Sequence, residues 1–108
     1  MTTQTERIRD LNDTARRHFT CRVLMTAGVS ALNATDMTLL LHKVRTFDAF
    51  SPDNDPHGEH DFGAIDHNGT RYFWKIDYYA PDMLHGSEDP ADPAKTCRVM
   101  TIMQASEY

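Results

Sequence analysis

Three polar residues near the middle of the chain, His60, Lys75 and Asp77, could carry acid–base chemistry. The dipeptide Asn68-Gly69 predicts a two-residue hairpin turn, and extending that register places His60 opposite Asp77, with Lys75 diagonal to it on the same face. A carboxylate fixes the tautomer of a neighbouring histidine and favours its charged form. These three residues are therefore candidate catalytic residues of a small hydrolase-like enzyme, with or without a metal.

Other catalytic signatures are missing from the sequence. It contains neither a G-x-S-x-G nucleophile motif nor a glycine-rich phosphate loop. Cys21 and Cys97 lie within apolar segments, where thiols are inert. Because no nucleophile is evident, the favoured interpretation of the His60–Asp77 pair is structural. The pair would hold the acidic loop against the sheet and would have no catalytic role.

The acidic stretch before the hairpin contains residue types that bind metal ions in other proteins. Residues 53–58 resemble the start of an EF-hand loop, but Ala64 stands where the bidentate glutamate is required. The histidines and acids of residues 57–61 lack the spacing of a known transition-metal site. We therefore expect no metal ligands and no other cofactor.

Two long loops, residues 47–61 and 81–95, concentrate the acidic residues of a chain whose net charge is -5. This charge disfavours a broad phosphate-binding surface, so direct nucleic-acid binding is not expected. Long loops in small domains are often functional, and acidic ones attract basic protein surfaces. The residues expected to contact a protein partner are Asp53, Asp55, Glu59, Asp61, Glu88, Asp89 and Asp92.

Periodicity predicts the elements that would position these residues. Apolar residues at spacings of three and four predict a helix over Thr5–Phe19 and a second one from Thr35 or Asp36 to Arg45. Alternating or continuous apolar runs predict strands over 20–27, 62–67, 70–79 and 96–105.

This order of elements predicts an α+β fold within a single domain, residues 1–108. We expect a small antiparallel sheet of about four strands with two helices packed on one face. Trp74, flanked on its face by Tyr72 and Ile76, should form the centre of the core and lie across Gly63 on the neighbouring strand.

The first ten residues have no apolar segment, and the longest aliphatic run is Leu39-Leu40-Leu41. Neither a secretory signal nor a membrane span is expected, which favours the cytoplasm, no membrane partner, and reduced cysteines.

Three strings in the second half of the chain, FDAFSPDNDPHGEHDFG, RYFWKIDYYAPDMLHGSEDPADP and RVMTIM, carry a family resemblance. The chain resembles a family of short bacterial proteins catalogued only as a domain of unknown function. These proteins are common in alphaproteobacteria and often encoded on plasmids and other mobile elements. The resemblance implies no activity, but small acidic proteins on mobile DNA include inhibitors of host restriction and CRISPR systems.

We therefore expect a non-enzymatic protein-binding module, with inhibition of a host defence complex as its concrete form. It would dock through the acidic loops and the exposed aromatic residues of the hairpin. The alternative is the hydrolase-like enzyme based on His60, Lys75 and Asp77.

Overall fold

An amphipathic helix, α1 (Gln4–His18), begins the fold in a computed structural model that describes residues 2–108. The Thr3 hydroxyl accepts a hydrogen bond from the Glu6 amide and caps the first turn. Phe19 ends the helix in the left-handed region, with φ of 50°, and its amide donates to the Ala15 carbonyl. The predicted first helix is confirmed to within a residue at each end.

A short strand, β1 (Arg22–Met25), follows and leads directly into a one-turn helix, α2 (Ala27–Ser30). The apolar run over 20–27 predicts a longer strand than the one observed. The Thr26 carbonyl accepts from the Ser30 amide, so the chain turns into a helix as soon as the strand ends.

The third helix, α3 (Ala34–Arg45), begins two residues before Asp36, the later of the two predicted caps. Asn33 is the actual N-cap: its side-chain oxygen accepts from the Asp36 amide at 2.8 Å. Asn is among the strongest N-cap residues, which explains the earlier start.

The predicted hairpin is confirmed. Strands β2 (Phe62–His67) and β3 (Thr70–Tyr79) pair antiparallel, and Gly63 lies opposite Trp74. Asn68 and Gly69 both have positive φ, 50° and 77°, as a type I′ turn requires.

The sheet is mixed, which corrects the expected purely antiparallel arrangement. Its order is β1-β4-β3-β2, where β4 spans Cys97–Gln104. β4 is antiparallel to β3 but parallel to β1. The turn rules that fixed the hairpin do not constrain β1, because a long connection containing two helices and the hairpin separates it from β4. Among the described residues, no helix is both long and apolar enough to cross a membrane.

The core lies between the helices and one face of the sheet. Trp74 is fully buried there, as predicted, together with Leu40 and Val44 of α3 and Val29 of α2. The remaining buried members of this cluster come from the strands: Ile65, Tyr72, Ile76, Met100 and Ile102.

The opposite sheet face carries no α-helix among residues 2–108, since the buried residues of α2 and α3 pack on the Trp74 side. Strand alternation places on this second face the buried Val99 and Met103 and, among its more accessible residues, the following seven: Leu24, Phe62, Phe73, Lys75, Asp77, Tyr79 and Thr101. These seven residues, with Tyr108 lying against Phe73, are called the open face below.

Candidate functional site

His60 does not pair with Asp77, which corrects the sequence-based hypothesis. Hairpin pairing ends at Phe62 opposite Lys75, and His60 itself has a φ of 54°. A left-handed residue breaks the alternation that the register argument extrapolated, so the imidazole turns toward α1. Asp77 instead accepts a hydrogen bond from Lys75 Nζ at 2.7 Å on the open face.

The partner of His60 is Asp13, a buried residue of α1. The His60 Nδ1 atom lies 2.9 Å from Asp13 Oδ1 and 3.1 Å from Oδ2. The Phe50 ring stacks on the imidazole, with centroids 3.7 Å apart and planes 2° from parallel. The carboxylate fixes the tautomer and the phenyl ring fixes the ring plane, so this histidine is fully oriented.

The acidic loop is folded around the same histidine. The Asp55 side chain is buried, and its Oδ1 accepts from the His60 amide at 3.1 Å. Its Oδ2 lies 3.7 Å from His60 Nε2, beyond direct hydrogen-bond distance. Asp55 therefore holds the left-handed backbone in place, and Nε2 has no protein hydrogen bond among residues 2–108.

A buried cation lies behind the Asp13–His60 pair. Arg16 is 0% exposed, and its Nη2 donates to Asp13 Oδ1 at 3.1 Å. Its guanidinium carbon lies 5.0 Å from the centroid of Trp74 and 5.4 Å from that of Phe50, so both rings stabilise the charge. Burial lowers the pKa of Arg16, against the opposing effect of Asp13.

A second polar network joins α1 to the sheet beside the first. The fully buried Asn12 donates to Tyr78 Oη at 2.7 Å and to the Glu59 carbonyl at 3.0 Å, and accepts from Arg98 Nε at 2.7 Å. Tyr78 in turn donates to Glu59 Oε1 at 2.8 Å. Burial raises the pKa of Tyr78 well above its ordinary value, so this hydroxyl remains protonated.

The seven acidic residues expected to contact a partner differ in their accessibility. Asp53 is exposed, and Glu88 is exposed beside Lys95, 3.6 Å away. The other five are buried or half-buried, and four of these accept hydrogen bonds from the protein: Asp55, Glu59, Asp89 and Asp92. The fifth, Asp61, has a raised pKa, first because of burial and then because of nearby Glu59.

The open side of His60 faces a shallow cleft of about 470 Å³, called the His60 cleft below. Nine residues line the cleft: Arg9, Phe50, Ser51, Pro52, Asp55, Pro56, His57, Gly58 and His60. The His60 side chain is 23% exposed, so a small molecule in the cleft can reach it.

A separate cavity of about 520 Å³ at the start of β1 and β4 is lined in part by Cys21, Cys97, Arg22 and Arg98. Burial raises the pKa of Cys21, which favours the protonated thiol over the thiolate nucleophile. Among residues 2–108, no group of three or more His, Cys, Asp or Glu side chains is placed to hold a metal ion. The absence of a tightly bound metal stays a prediction, which elemental analysis of the purified protein can check.

Sequence reasoning missed Asp13 and Arg16. The signal that could have found them is positional: Ile8, Asn12, Ala15 and Arg16 recur at helical spacing on one face of α1, so polar residues interrupt an otherwise apolar stripe. A buried stripe that includes an asparagine and an arginine requires partners on the elements it packs against.

A model of one protein family, described as "Protein of unknown function (DUF3768)", matches residues 25–107. No curated protein and no solved structure matches the chain significantly.

Proposed function

We propose that this chain, which belongs to the DUF3768 family of proteins of unknown function, is a protein-binding module that docks through its open face. The observation that carries the proposal is that one face of the sheet is rich in partly exposed aromatic residues, whereas α1, α2 and α3 all pack on the other face. The proposed module acts in the cytoplasm.

The open face has the composition of an interface core. Phe62 and Phe73 pack with centroids 5.1 Å apart, and Tyr108 meets Phe73 edge-on at 5.7 Å. Leu24 is 56% exposed and Tyr108 77% exposed, so apolar surface of this face reaches solvent. Aromatic residues are enriched at protein interfaces, where they bury a large area at low entropic cost.

The charges on and around this face indicate the chemistry of the partner. Lys75 and Asp77 neutralise each other within the face. Elsewhere the chain has a net charge of -5, and exposed carboxylates such as Asp53 and Glu88 lie in the two long loops. An apolar surface on an acidic molecule is complementary to an apolar patch surrounded by Lys and Arg.

The proposed partner is therefore a basic protein surface, such as a nucleic-acid-acting complex presents. Inhibition of a host restriction or CRISPR complex is the concrete form, and it rests on the family resemblance to proteins of mobile DNA. The acidic loops contribute mainly long-range attraction, because most of their carboxylates are already hydrogen-bonded within the chain.

A hydrolase that uses His60, Lys75 and Asp77 together is not favoured by this geometry. His60 points to α1, whereas the Lys75–Asp77 pair lies on the open face. The sheet separates them, so the three groups cannot act on one substrate atom.

Two leucines of similar exposure provide a matched test. Leu24 on the open face is 56% exposed, and Leu39 on the solvent side of α3 is 47% exposed. Lysine is well tolerated on edge strands such as β1, so neither Leu24→Lys nor Leu39→Lys should prevent folding. The introduced lysine repels a basic partner only if the substituted residue lies in the interface.

The experiment captures proteins from the native host with the wild type and both variants, then measures the affinity of any purified partner. We expect Leu24→Lys to weaken binding at least about tenfold, equal to about 1.4 kcal/mol, and Leu39→Lys to leave it unchanged. Equal binding by all three proteins would overturn the open face as the docking site. Wild-type dimerisation at micromolar concentration, abolished only by Leu24→Lys, would instead assign the face to a second copy of the chain.

A further inference from the structure

The Asp13–His60 pair combines an imidazole oriented by a carboxylate and a stacked ring with a partly exposed position beside a cleft. Neither the open face nor the proposed partner uses it, because it lies on the helix side of the sheet. An oriented histidine in a cleft is a recognised mark of proton-transfer chemistry.

We propose that His60 is a general base that activates a water molecule in the His60 cleft to hydrolyse a small anionic ester. Asp13 binds Nδ1, which leaves Nε2 as the nitrogen that can accept a proton. Asp13 is a positioning residue in this proposal, and Arg16 in turn holds Asp13 at 3.1 Å.

The gap between His60 Nε2 and Asp55 Oδ2 supplies a place for the water. The two acceptor atoms are 3.7 Å apart, too far for a direct hydrogen bond but suited to a water molecule that donates one proton to each. Held by both of its protons, this water directs its oxygen lone pairs into the cleft, as a nucleophile requires.

The backbone conformation at His60 also supports a functional role for this residue. His60 is one of four non-glycine residues with positive φ among residues 2–108, and Asp55 holds it there through its amide. Unusual backbone conformations persist where the surrounding structure over-determines them, and they are concentrated at functional sites.

One cation of the cleft lining can bind an anionic group of a substrate, although the same lining contains the Asp55 carboxylate. Arg9 lines the cleft and makes no ion pair with any of residues 2–108, so its guanidinium can attract an anionic group. Phe50 and Pro52 add apolar walls. These features fit a small ester that bears one carboxylate, rather than a polyanion, which the acidic chain as a whole repels.

The step balances without a metal or redox partner. One water proton passes to His60 Nε2 as the water oxygen forms a bond to the ester carbonyl carbon. The bond from that carbon to the alkoxy oxygen then breaks, and the leaving oxygen takes the proton from Nε2. The products are a carboxylic acid and an alcohol, and His60 returns to its starting state.

The test measures release of 4-nitrophenol from 4-nitrophenyl hemisuccinate, an anionic ester, and from the neutral 4-nitrophenyl acetate. We expect the wild type to exceed buffer by about a hundredfold or more on the anionic ester, and His60→Asn to remove that excess. His42→Asn is the matched control, since His42 is exposed on α3, lies outside the His60 cleft and has no ion pair with residues 2–108, and it should keep the activity within about twofold.

The pH profile separates catalysis from a merely structural role. The charged and titratable groups around His60 are Asp13 and Asp55 beside its ring, Arg16 bound to Asp13, and Arg9 and His57 in the cleft lining. The wild-type rate should rise with pH through a single ionisation and then level off, as a general base requires. Asp13→Asn should lower kcat and displace that ionisation.

If His60→Asn fails to fold, diethyl pyrocarbonate treatment of the wild type replaces it. Modification of His60 should then abolish the activity, and an excess of 4-nitrophenyl hemisuccinate should protect His60 against modification. A wild-type rate equal to buffer, an equal loss in His42→Asn, or full activity after His60 is modified would overturn the proposal.

Discussion

At the residue scale, Gly63 has the strictest steric requirement in the molecule. A Cβ atom there would lie within 3 Å of Trp74 Nε1 and Cε2 and of Phe47 Cε1. Trp74 is fully buried, so its ring has no room to move away. The indole lies across the neighbouring strand because that strand offers a bare backbone.

We expect Gly63→Ala to destabilise the fold by about 1–3 kcal/mol, the usual cost of overpacking a core. Gly86→Ala is the control: its Cβ would meet only the Tyr78 carbonyl oxygen, at 3.9 Å, and its effect should stay within about 0.5 kcal/mol. Denaturant unfolding of the two variants checks both expectations. Equal stability would show that the indole does not lie over Gly63.

Asp61 makes a pH-dependent contribution to stability with the opposite sign from most carboxylates. Burial first, then the charges of Glu59 and Asp55, raise its pKa above the ordinary value of about 3.9. The ionised form is therefore less favourable in the folded protein than in the unfolded chain. Asp61 costs no stability below its unfolded pKa, and the cost grows as pH rises through the folded pKa.

Asp61→Asn should therefore raise the melting temperature at pH 7 and have little effect below about pH 3.5. Asp53→Asn, at an exposed position of the same loop, is the control and should show no such trend. Thermal melts across the pH range measure the difference. A stabilisation independent of pH would contradict the burial of the Asp61 carboxylate.

At the element scale, α1 anchors the acidic loop through side chains rather than through apolar packing alone. Asn12 bonds the Glu59 backbone, Tyr78 and Arg98, and Asp13 bonds His60. The loop is long and irregular, yet its last turn has defined partners on a rigid helix. This arrangement replaces the His60–Asp77 anchor that the hairpin register suggested.

Asn12→Ala should cost about 2–3 kcal/mol, because it leaves the buried Arg98 Nε without its acceptor. It should also speed hydrogen exchange at the His60 and Gly58 amides, whose acceptors belong to the anchored loop. Thr14→Ala, at an exposed site on the same helix, should change neither. Unchanged exchange in Asn12→Ala would show that the loop is held by other contacts.

The elements that sequence could predict are those governed by local rules. The Asn68-Gly69 turn set the hairpin register, and that register held as far as Phe62. It failed at His60 because a single left-handed residue, unmarked in the sequence, reverses the side-chain direction. The parallel β1–β4 pairing and the Asp13–His60 contact join residues far apart along the chain, and no local pattern determines such contacts.

At the scale of the whole molecule, charge and apolar surface are separated. The open face holds a neutral Lys75–Asp77 pair among aromatic residues, whereas the acid excess lies in the two long loops. A partner that meets both should be attracted by the loops from a distance and held by the face at contact. Salt distinguishes the two contributions, because it screens exposed charges but leaves apolar burial nearly unaffected.

We expect the affinity for a basic partner to fall as sodium chloride rises from about 50 mM to about 500 mM. The Debye length shortens from above about 10 Å toward about 3 Å over this range. Exposed charges then attract the partner less from a distance, so association should become slower. Asp53→Asn should reduce this salt dependence, because its carboxylate is exposed and bonds no residue among 2–108. Leu24→Lys should instead speed dissociation and lower the affinity that remains at high salt, where the apolar contact dominates. Binding kinetics measured at several salt concentrations separate the two variants. An affinity independent of salt would eliminate the basic partner, and high-salt binding untouched by Leu24→Lys would eliminate the open face.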